Sequence, residues 1–299
     1  MKDSTKKKIL IGMDGSDRAF ETVKYVSKIP SFQKYHVVLL NVFSKIPEAY
    51  WDLEKEPQLK RKVTHVRAWE VQREKEIKDY MEKARQLLME AGFPLDSVKV
   101  KIGERGEGIA RDMIKEAKRG YRAVVVGRRG MSRLKDLILG GVTTKLFERV
   151  TFAPLLLIGK NSSPDKVLVA LDGSENSMRG VDYVGITLKD SGFKIRLHHV
   201  IRGKDKDYIE NAKKVINEFF DEAKERLEKS GFKPNQVSTK IITGKESRAG
   251  TIVEKARKEG YGTIVLGRRG HSERKEFSMG RVTNKVVYMA KGLAVWVVS

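Results

Sequence analysis

The amino-acid sequence predicts an α/β protein of two tandem units, each with five parallel strands joined by helical crossovers. Three observations predict it. The phrase KKILIGMDGS (Lys7 to Ser16) returns as DKVLVALDGS (Asp165 to Ser174), and VVVGRRGMSRLKDLILGG (Val124 to Gly141) returns as IVLGRRGHSERKEFSMGR (Ile264 to Arg281). Between these landmarks, short branched-apolar runs alternate with helical patterns, the signature of a parallel sheet with crossover helices.

Taken in order, the first unit's strands are Lys8 to Met13, His36 to Phe43, Ser97 to Ile102, Ala123 to Val126 and Leu155 to Ile158. The second unit's are Val167 to Leu171, Lys194 to Ile201, Gln236 to Ile242, Thr263 to Leu266 and Ala294 to Val298. The stretch GKNSSPDK has the Gly, Ser and Pro content of a linker, dividing the chain into 1–160 and 161–299. Asp14 and Asp172 lie 158 positions apart, whereas Gly127 and Gly267 lie 140 apart, so the first copy carries 18 additional residues. The spacing from Asp14 to Val42 equals that from Asp172 to Val200, which puts the surplus after the second strand, near 44–71. There Pro47 and Pro57 mark an irregular connection, and Val63, Val66, Ile77, Ala84, Leu87 and Ala91 continue as a long amphipathic helix.

The composition narrows the chemistry. The chain has 299 residues, 40% of them hydrophobic, enough for two ordinary cores. It has no cysteine, which excludes disulfides, thiolate metal sites and cysteine nucleophiles and fits a reducing compartment, so the expectation is a cytoplasmic protein. The first residues lack the apolar core of a signal peptide, and no apolar stretch reaches the roughly 18 residues of a membrane span. A formal charge of +22 attracts phosphates, nucleic acid or anionic lipid without choosing among them, and much of it reads as a solvated, salt-bridge-laced surface.

In an open parallel sheet, ligands bind beyond the carboxyl ends of the strands. The first strand delivers Asp14 there and the fourth delivers Gly127, so neighbouring strands would bring both loops to one crevice. Glycines allow positive φ and close approach, letting successive N–H groups point at one anion, usually phosphate. After Gly140 an apolar helical pattern resumes with Val142, Leu146 and Val150. Gly140 and Gly141 thus fall at a helix N-terminus, which favours negative charge.

On these residues each unit resembles a universal stress protein domain, and the chain resembles a tandem member of that family. The family motif is Gly, two residues, Gly, nine residues, then Gly followed by Ser or Thr. Gly127, Gly130 and Gly140 fit it in the first copy, and Gly267, Gly270 and Gly280 in the second. The DGS after the first strand and the valine ending the second also match, and the resemblance spans nearly the whole chain apart from the insertion.

The resemblance implies a Rossmann-like sheet of strand order 3-2-1-4-5 sandwiched by helices. It also implies that the apolar terminal strands, Pro154 to Ile158 and Leu293 to Val298, pair the two sheets into an intrachain pseudo-dimer, with a homodimer as a further arrangement. It implies ATP or a related adenine nucleotide, AMP or ADP included, with any Mg2+ carried by the phosphates. Asp14 and Val42 would lie near the nucleoside, with Gly127, Gly130, Gly140, Gly141, Val142 and Thr143 near the phosphates. Asp172, Val200, Gly267, Gly270 and Gly280 would form a second pocket.

The copies depart from the motif at its last position, which is Gly141 in the first and Arg281 in the second. Gly141 keeps a backbone donor, and Thr143 or Thr144 supplies a hydroxyl nearby. Arg281 either fills the phosphate space or grips a phosphate with its planar cation, so the second pocket is expected to have altered ligand binding, either degenerate or preferring a shorter nucleotide such as AMP. Arg128, Arg129, Arg268 and Arg269 stand between motif glycines; turned inward they add charge to the phosphate site, and turned outward they join the solvated surface.

Other chemistries are weaker in the sequence. Gly159-Lys160, Gly203-Lys204 and Gly244-Lys245 lack the Ser or Thr of a P-loop, and GERGEG (Gly103 to Gly108) has the wrong glycine order for a dinucleotide fingerprint. His36, His65, His198, His199 and His271 show no metal-ligand spacing, and the adjacent pair alternates faces on a strand. Asp14 and Asp172 also serve as turn formers, with Ser16 and Ser174 as helix N-caps. The leading reading is a nucleotide-binding stress-response sensor or adaptor with an unknown protein partner, in which ATP orders the Ser44 to Val71 insertion. The alternatives are a slow metal-dependent ATPase or autophosphorylating enzyme, and a basic nucleic-acid-binding protein.

Overall fold

A computed structural model describes residues 7–129, 139–160, 162–271 and 279–299. In chain order the first unit is β1 (Lys8–Gly12), α1 (Asp17–Ser27), β2 (His36–Phe43), α2 (Glu48–Trp51), α3 (Lys60–Glu90), β3 (Val98–Glu104), α4 (Ile109–Ala117), β4 (Ala123–Gly127), α5 (Gly141–Arg149) and β5 (Leu155–Ile158). The second is β6 (Lys166–Ala170), α6 (Glu175–Leu188), β7 (Lys194–Arg202), α7 (Lys206–Lys229), β8 (Val237–Lys245), α8 (Arg248–Lys258), β9 (Thr263–Gly267), α9 (Arg281–Met289) and β10 (Ala294–Val298). The strands lie where alternating apolar runs predict them; β3 and β8 continue to Glu104 and Lys245, beyond the expected ends at Ile102 and Ile242.

All strands join one sheet of order β3-β2-β1-β4-β5-β10-β9-β6-β7-β8, so each unit has the order 3-2-1-4-5. Among the described residues, pairing is parallel within each unit and antiparallel only where β5 meets β10. The antiparallel seam reflects a pseudo-twofold: when two like units meet through the same edge strand, a twofold reverses the strand direction. At this seam Gly159 lies so close to the other unit that a Cβ there would be 2.4 Å from Gly292 C and 2.6 Å from Leu293 O, which only glycine avoids.

Strand periodicity divides the core between the two faces of the sheet. Ile9, Ile11, Val125, Leu156 and Trp296 pack under α1, α3, α6 and α7. Leu10, Val124, Val126, Leu155 and Val295 pack under α4, α5, α8 and α9. Trp296, fully buried, sits edge-on to Tyr25 of the first unit and Tyr183 of the second, with centroids 6.5 and 5.7 Å away. The Tyr25 hydroxyl also lies 2.6 Å from Thr263 Oγ1 across the seam.

The additional residues of the first unit form α2, a 3-10 turn over Asp52–Lys55, and a 31-residue α3 against 24 residues in α7. The insertion is tied to α3: Ile46 N–H donates to Glu70 Oε1 at 2.9 Å, Arg67 pairs with Glu54 at 2.9 Å, and the Arg67 guanidinium lies 5.2 Å over the Trp51 ring. No helix among the described residues is long and apolar enough to cross a membrane.

Candidate functional site

At the carboxyl end of β1 the chain must turn at once into α1. Gly15 takes φ of 84°, a region that disfavours side chains. Asp14 Oδ1 accepts from Ser16 N at 3.1 Å and Ser16 Oγ at 2.6 Å, and Ser16 Oγ accepts from Ala19 N at 3.4 Å as the N-cap of α1. The second unit repeats this turn: Gly173 has φ of 79°, Asp172 Oδ1 accepts from Ser174 N at 3.0 Å and Oγ at 2.6 Å, and Ser174 caps α6. The DGS phrase therefore holds a carboxylate at the crevice while starting a helix.

At the end of β4 the loop returns into α5. Thr143 Oγ1 donates to Gly127 O at 2.9 Å, and Gly140 N–H donates to Arg128 O at 3.0 Å. The first bond within α5 is Thr144 N to Gly140 O at 2.9 Å, so the N–H groups of Gly141, Val142 and Thr143 precede the helical ladder. These residues line a cavity of about 590 Å³ together with Asp14 and Val42. Asn41, also on its wall, is 4% exposed; its Nδ2 donates to Met13 O at 2.8 Å and its Oδ1 has no partner among the described residues.

The outer wall comes from α3, through Arg73, Glu76, Ile77 and Tyr80. The Tyr80 hydroxyl donates to Ser16 O at 2.8 Å and its ring packs edge-on against Phe20 at 4.6 Å. Burial, reinforced by the charges of Asp14 and Asp17, pushes its phenol pKa up and keeps it a neutral donor. Sequence reading missed this wall because an amphipathic period reports which residues face the core and not which of them end at a crevice.

The second unit encloses about 1260 Å³ at the corresponding place. His199 replaces Asn41, and its Nδ1 lies 2.6 Å from Leu171 O, the carbonyl equivalent to Met13 O. Because a carbonyl only accepts, Nδ1 carries the proton and Nε2 is left as an acceptor. His271 Nε2 donates to Asp172 O at 2.8 Å. The described residues contain no group of three His, Asp or Glu able to hold a metal ion.

Comparison with known proteins decides the family. The model of the Universal stress protein family matches residues 6–158 and 164–299. The chain belongs to the universal stress protein family. Among curated relatives, universal stress protein YxiE of Bacillus subtilis is 28% identical over 134 residues, 41% of this chain and 90% of that protein. A universal stress protein of Mycolicibacterium smegmatis is 23% identical over 202 residues, 62% of this chain and 65% of that one. The crystal structure of a universal stress protein from Archaeoglobus fulgidus has the same fold over 99% of both chains, at 19% identity and a TM-score of 0.63.

In this universal stress protein, Asp14, Val42, Gly127, Arg129, Gly140, Gly141, Val142 and Thr143 line the first cavity, and Asp172, Val200, Gly267, Gly270, Gly280 and Arg281 line the second. Gly130 lies outside the described residues. Three expectations need correcting. Gly127, Gly140, Gly267, Gly270 and Gly280 do not take positive φ; Gly267 is glycine because a Cβ would be 2.6 Å from the backbone of Asn176 and Ser177 in α6. Gly140 is not a donor toward the crevice, since its N–H is held by Arg128 O, and the donors begin one residue later at Gly141. The Thr143 and Thr144 hydroxyls likewise donate to Gly127 O and Gly140 O.

The third correction concerns Arg128, expected either in the phosphate site or on the solvated surface. It is in neither: 5% exposed, it crosses the seam and donates through Nη2 to Val287 O in α9 of the other unit. Arg268 mirrors it, donating to Phe147 O at 2.6 Å, Val150 O at 2.8 Å and Glu148 O at 3.2 Å at the end of α5. Each unit's glycine loop thus caps the carbonyl end of the other unit's last helix, where a cation is favoured. Burial, with Arg129 or Arg269 adding repulsion, lowers both guanidinium pKa values to about 10, so both remain cationic at neutral pH.

Proposed function

We propose that this universal stress protein is a regulatory protein that binds an adenine nucleotide in the first unit's cavity and passes the bound state to its insertion. The observation that carries the reading is the start of α5, where the N–H groups of Gly141, Val142 and Thr143 precede the helical ladder on a cavity of about 590 Å³. That volume is in the range of small-ligand sites, and such donors with the helix dipole suit phosphate. Arg129 on the same wall adds charge, while Asp14, Val42 and the unpartnered Asn41 Oδ1 supply a polar and apolar seat for the nucleoside. Mg2+, where present, would arrive on the phosphates.

Gly141 offers a clean test, because nothing among the described residues lies within 4 Å of a Cβ built there. Gly141→Asp places a carboxylate where phosphate is expected while slightly favouring the helix start, by about 0.3–1 kcal/mol. Calorimetry is expected to show ATP binding weakened at least about tenfold with the melting temperature maintained. Unchanged ATP affinity would overturn the phosphate assignment.

Signalling runs through α3. Arg73 and Glu76 face the nucleotide cavity, and Glu70, less than two turns earlier, holds the Ile46 amide of the insertion. A ligand that draws on Arg73 or Glu76 shifts the population of that contact. Saturating ATP is therefore expected to slow proteolysis within 44–71 severalfold, about 1 kcal/mol of differential stability. Identical cleavage rates with and without ATP, under conditions where calorimetry shows binding, would exclude this route.

A further inference from the structure

The two cavities diverge at corresponding positions. Aligned on Gly92 and Gly231, Arg73 and Glu76 of α3 become Ala212 and Val215 of α7, which shortens the outer wall of the larger cavity. On the opposite side, Ile109 becomes Arg248 and Asp112 becomes Thr251. In the first unit, the Asp112 carboxylate accepts from the N–H groups of Gly106, Glu107 and Gly108 at 3.0, 3.3 and 3.3 Å, so the chain's own anion sits before α4. In the second unit Thr251, which has no carboxylate, turns its hydroxyl back to Ser247 O at 2.8 Å. An internal anion has been removed and a cation added at the same helix start.

An independent observation lies in the same cavity. His198 is 2% exposed, lines the cavity, and has no partner among the described residues at either ring nitrogen. It is two residues before Val200 on one face of β7, and Arg248 Nε donates to Val200 O at 3.2 Å. A buried neutral imidazole offers one donor and one acceptor, which suits a sugar hydroxyl or a phosphate oxygen. The other cations, Arg269 and Arg281, follow β9 at the start of α9. Strand order β9-β6-β7 puts two spacings of about 4.8 Å, roughly 10 Å, between the two cationic ends.

We infer that the second unit's cavity binds a nucleotide with a second phosphate on its ribose, a nucleoside 3′,5′-bisphosphate. This rests on the nucleotide reading above and gives the second cavity its own ligand class. The 5′ phosphate sits at Arg281 and Arg269, and the sugar phosphate at Arg248, with His198 bonding the sugar edge. The first cavity has Ile109 and Asp112 in place of Arg248 and Thr251, so the cation proposed to hold the second phosphate is absent from that position.

The test is calorimetry on the full chain with adenosine 3′,5′-bisphosphate and 5′-AMP. Wild type is expected to bind the bisphosphate at least about tenfold more tightly than AMP, as a charged bidentate contact allows. Arg248→Ile, which copies the first unit at an exposed position, is expected to reduce that ratio to about twofold or less and leave AMP affinity unchanged, showing that the variant is folded. Equal affinities in wild type, binding of neither probe, or a ratio retained in Arg248→Ile would overturn the inference. Gly141→Asp separates the two readings: it should remove ATP from the first cavity and leave the bisphosphate ratio intact. If ATP binding persists in that variant while the ratio stands, only the first-cavity assignment fails.

Discussion

Arg268→Ala is expected to destabilise the folded chain by about 2–4 kcal/mol, the scale of leaving buried carbonyl acceptors without their donor and opening a cavity. The last carbonyls of a helix have no partner within it, and at the end of α5 three of them face the seam. Arg268, 3% exposed, satisfies Phe147 O, Glu148 O and Val150 O with one guanidinium. Alanine leaves the buried carbonyls of Phe147 and Val150 without that donor, and opens a void the size of the lost side chain. Arg268→Lys keeps the charge but loses the planar fork, so it is expected to recover only part of the loss. Urea unfolding of the whole chain measures both; a change below about 1 kcal/mol for alanine would show that the clamp contributes little.

The second large effect is acid sensitivity through His198. Burial, followed by repulsion from Arg196, His199, Lys255 and Lys240, lowers its pKa from 6.5 to about 4. Well above pH 6.5 the imidazole is neutral in both states and its contribution is constant. Between pH 6.5 and 4 the unfolded chain takes up a proton that the folded chain refuses, so stability falls with pH. Integrated over that window the loss is about 3 kcal/mol. His199, its pKa lowered chiefly by burial, acts in the same direction. His198→Leu removes the titrating group, and its unfolding free energy is expected to drop by about 2–3 kcal/mol less than wild type between pH 7 and pH 4. Equal drops in the two proteins would show that His198 is hydrated in the folded state.

Much of the architecture was legible before folding because it is written in local period. Branched apolar runs such as Val124 to Val126 and Leu155 to Ile158 read as buried strands and are buried strands. The insertion was also legible, as a difference in spacing between two copies that each serve as the other's ruler. The candidate site was legible at its backbone, where DGS makes a turn and helix cap whatever surrounds it. Its walls were not. Nothing in the sequence of α3 distinguishes Tyr80, which bonds the Ser16 carbonyl, from the other aromatic and apolar residues along that helix.

By itself, the sequence determined the two units, their strands and crossovers, and the turns that follow β1 and β4, because hydrophobic period and turn chemistry act over a few residues; that those turns meet follows from β1 pairing with β4. Only the tertiary structure decided where the arginines of GRRG go. Arg128 and Arg129 are neighbours in the chain, yet one crosses the seam to Val287 and the other lines the first cavity. The physical reason is that a side chain follows the nearest unsatisfied partner. For Arg268 that partner is a set of helix-end carbonyls about 120 residues away, brought within reach only when β5 and β10 pair. The same pairing completes the helix ends of both units, so a feature that reads locally as a phosphate loop is also the joint between two halves.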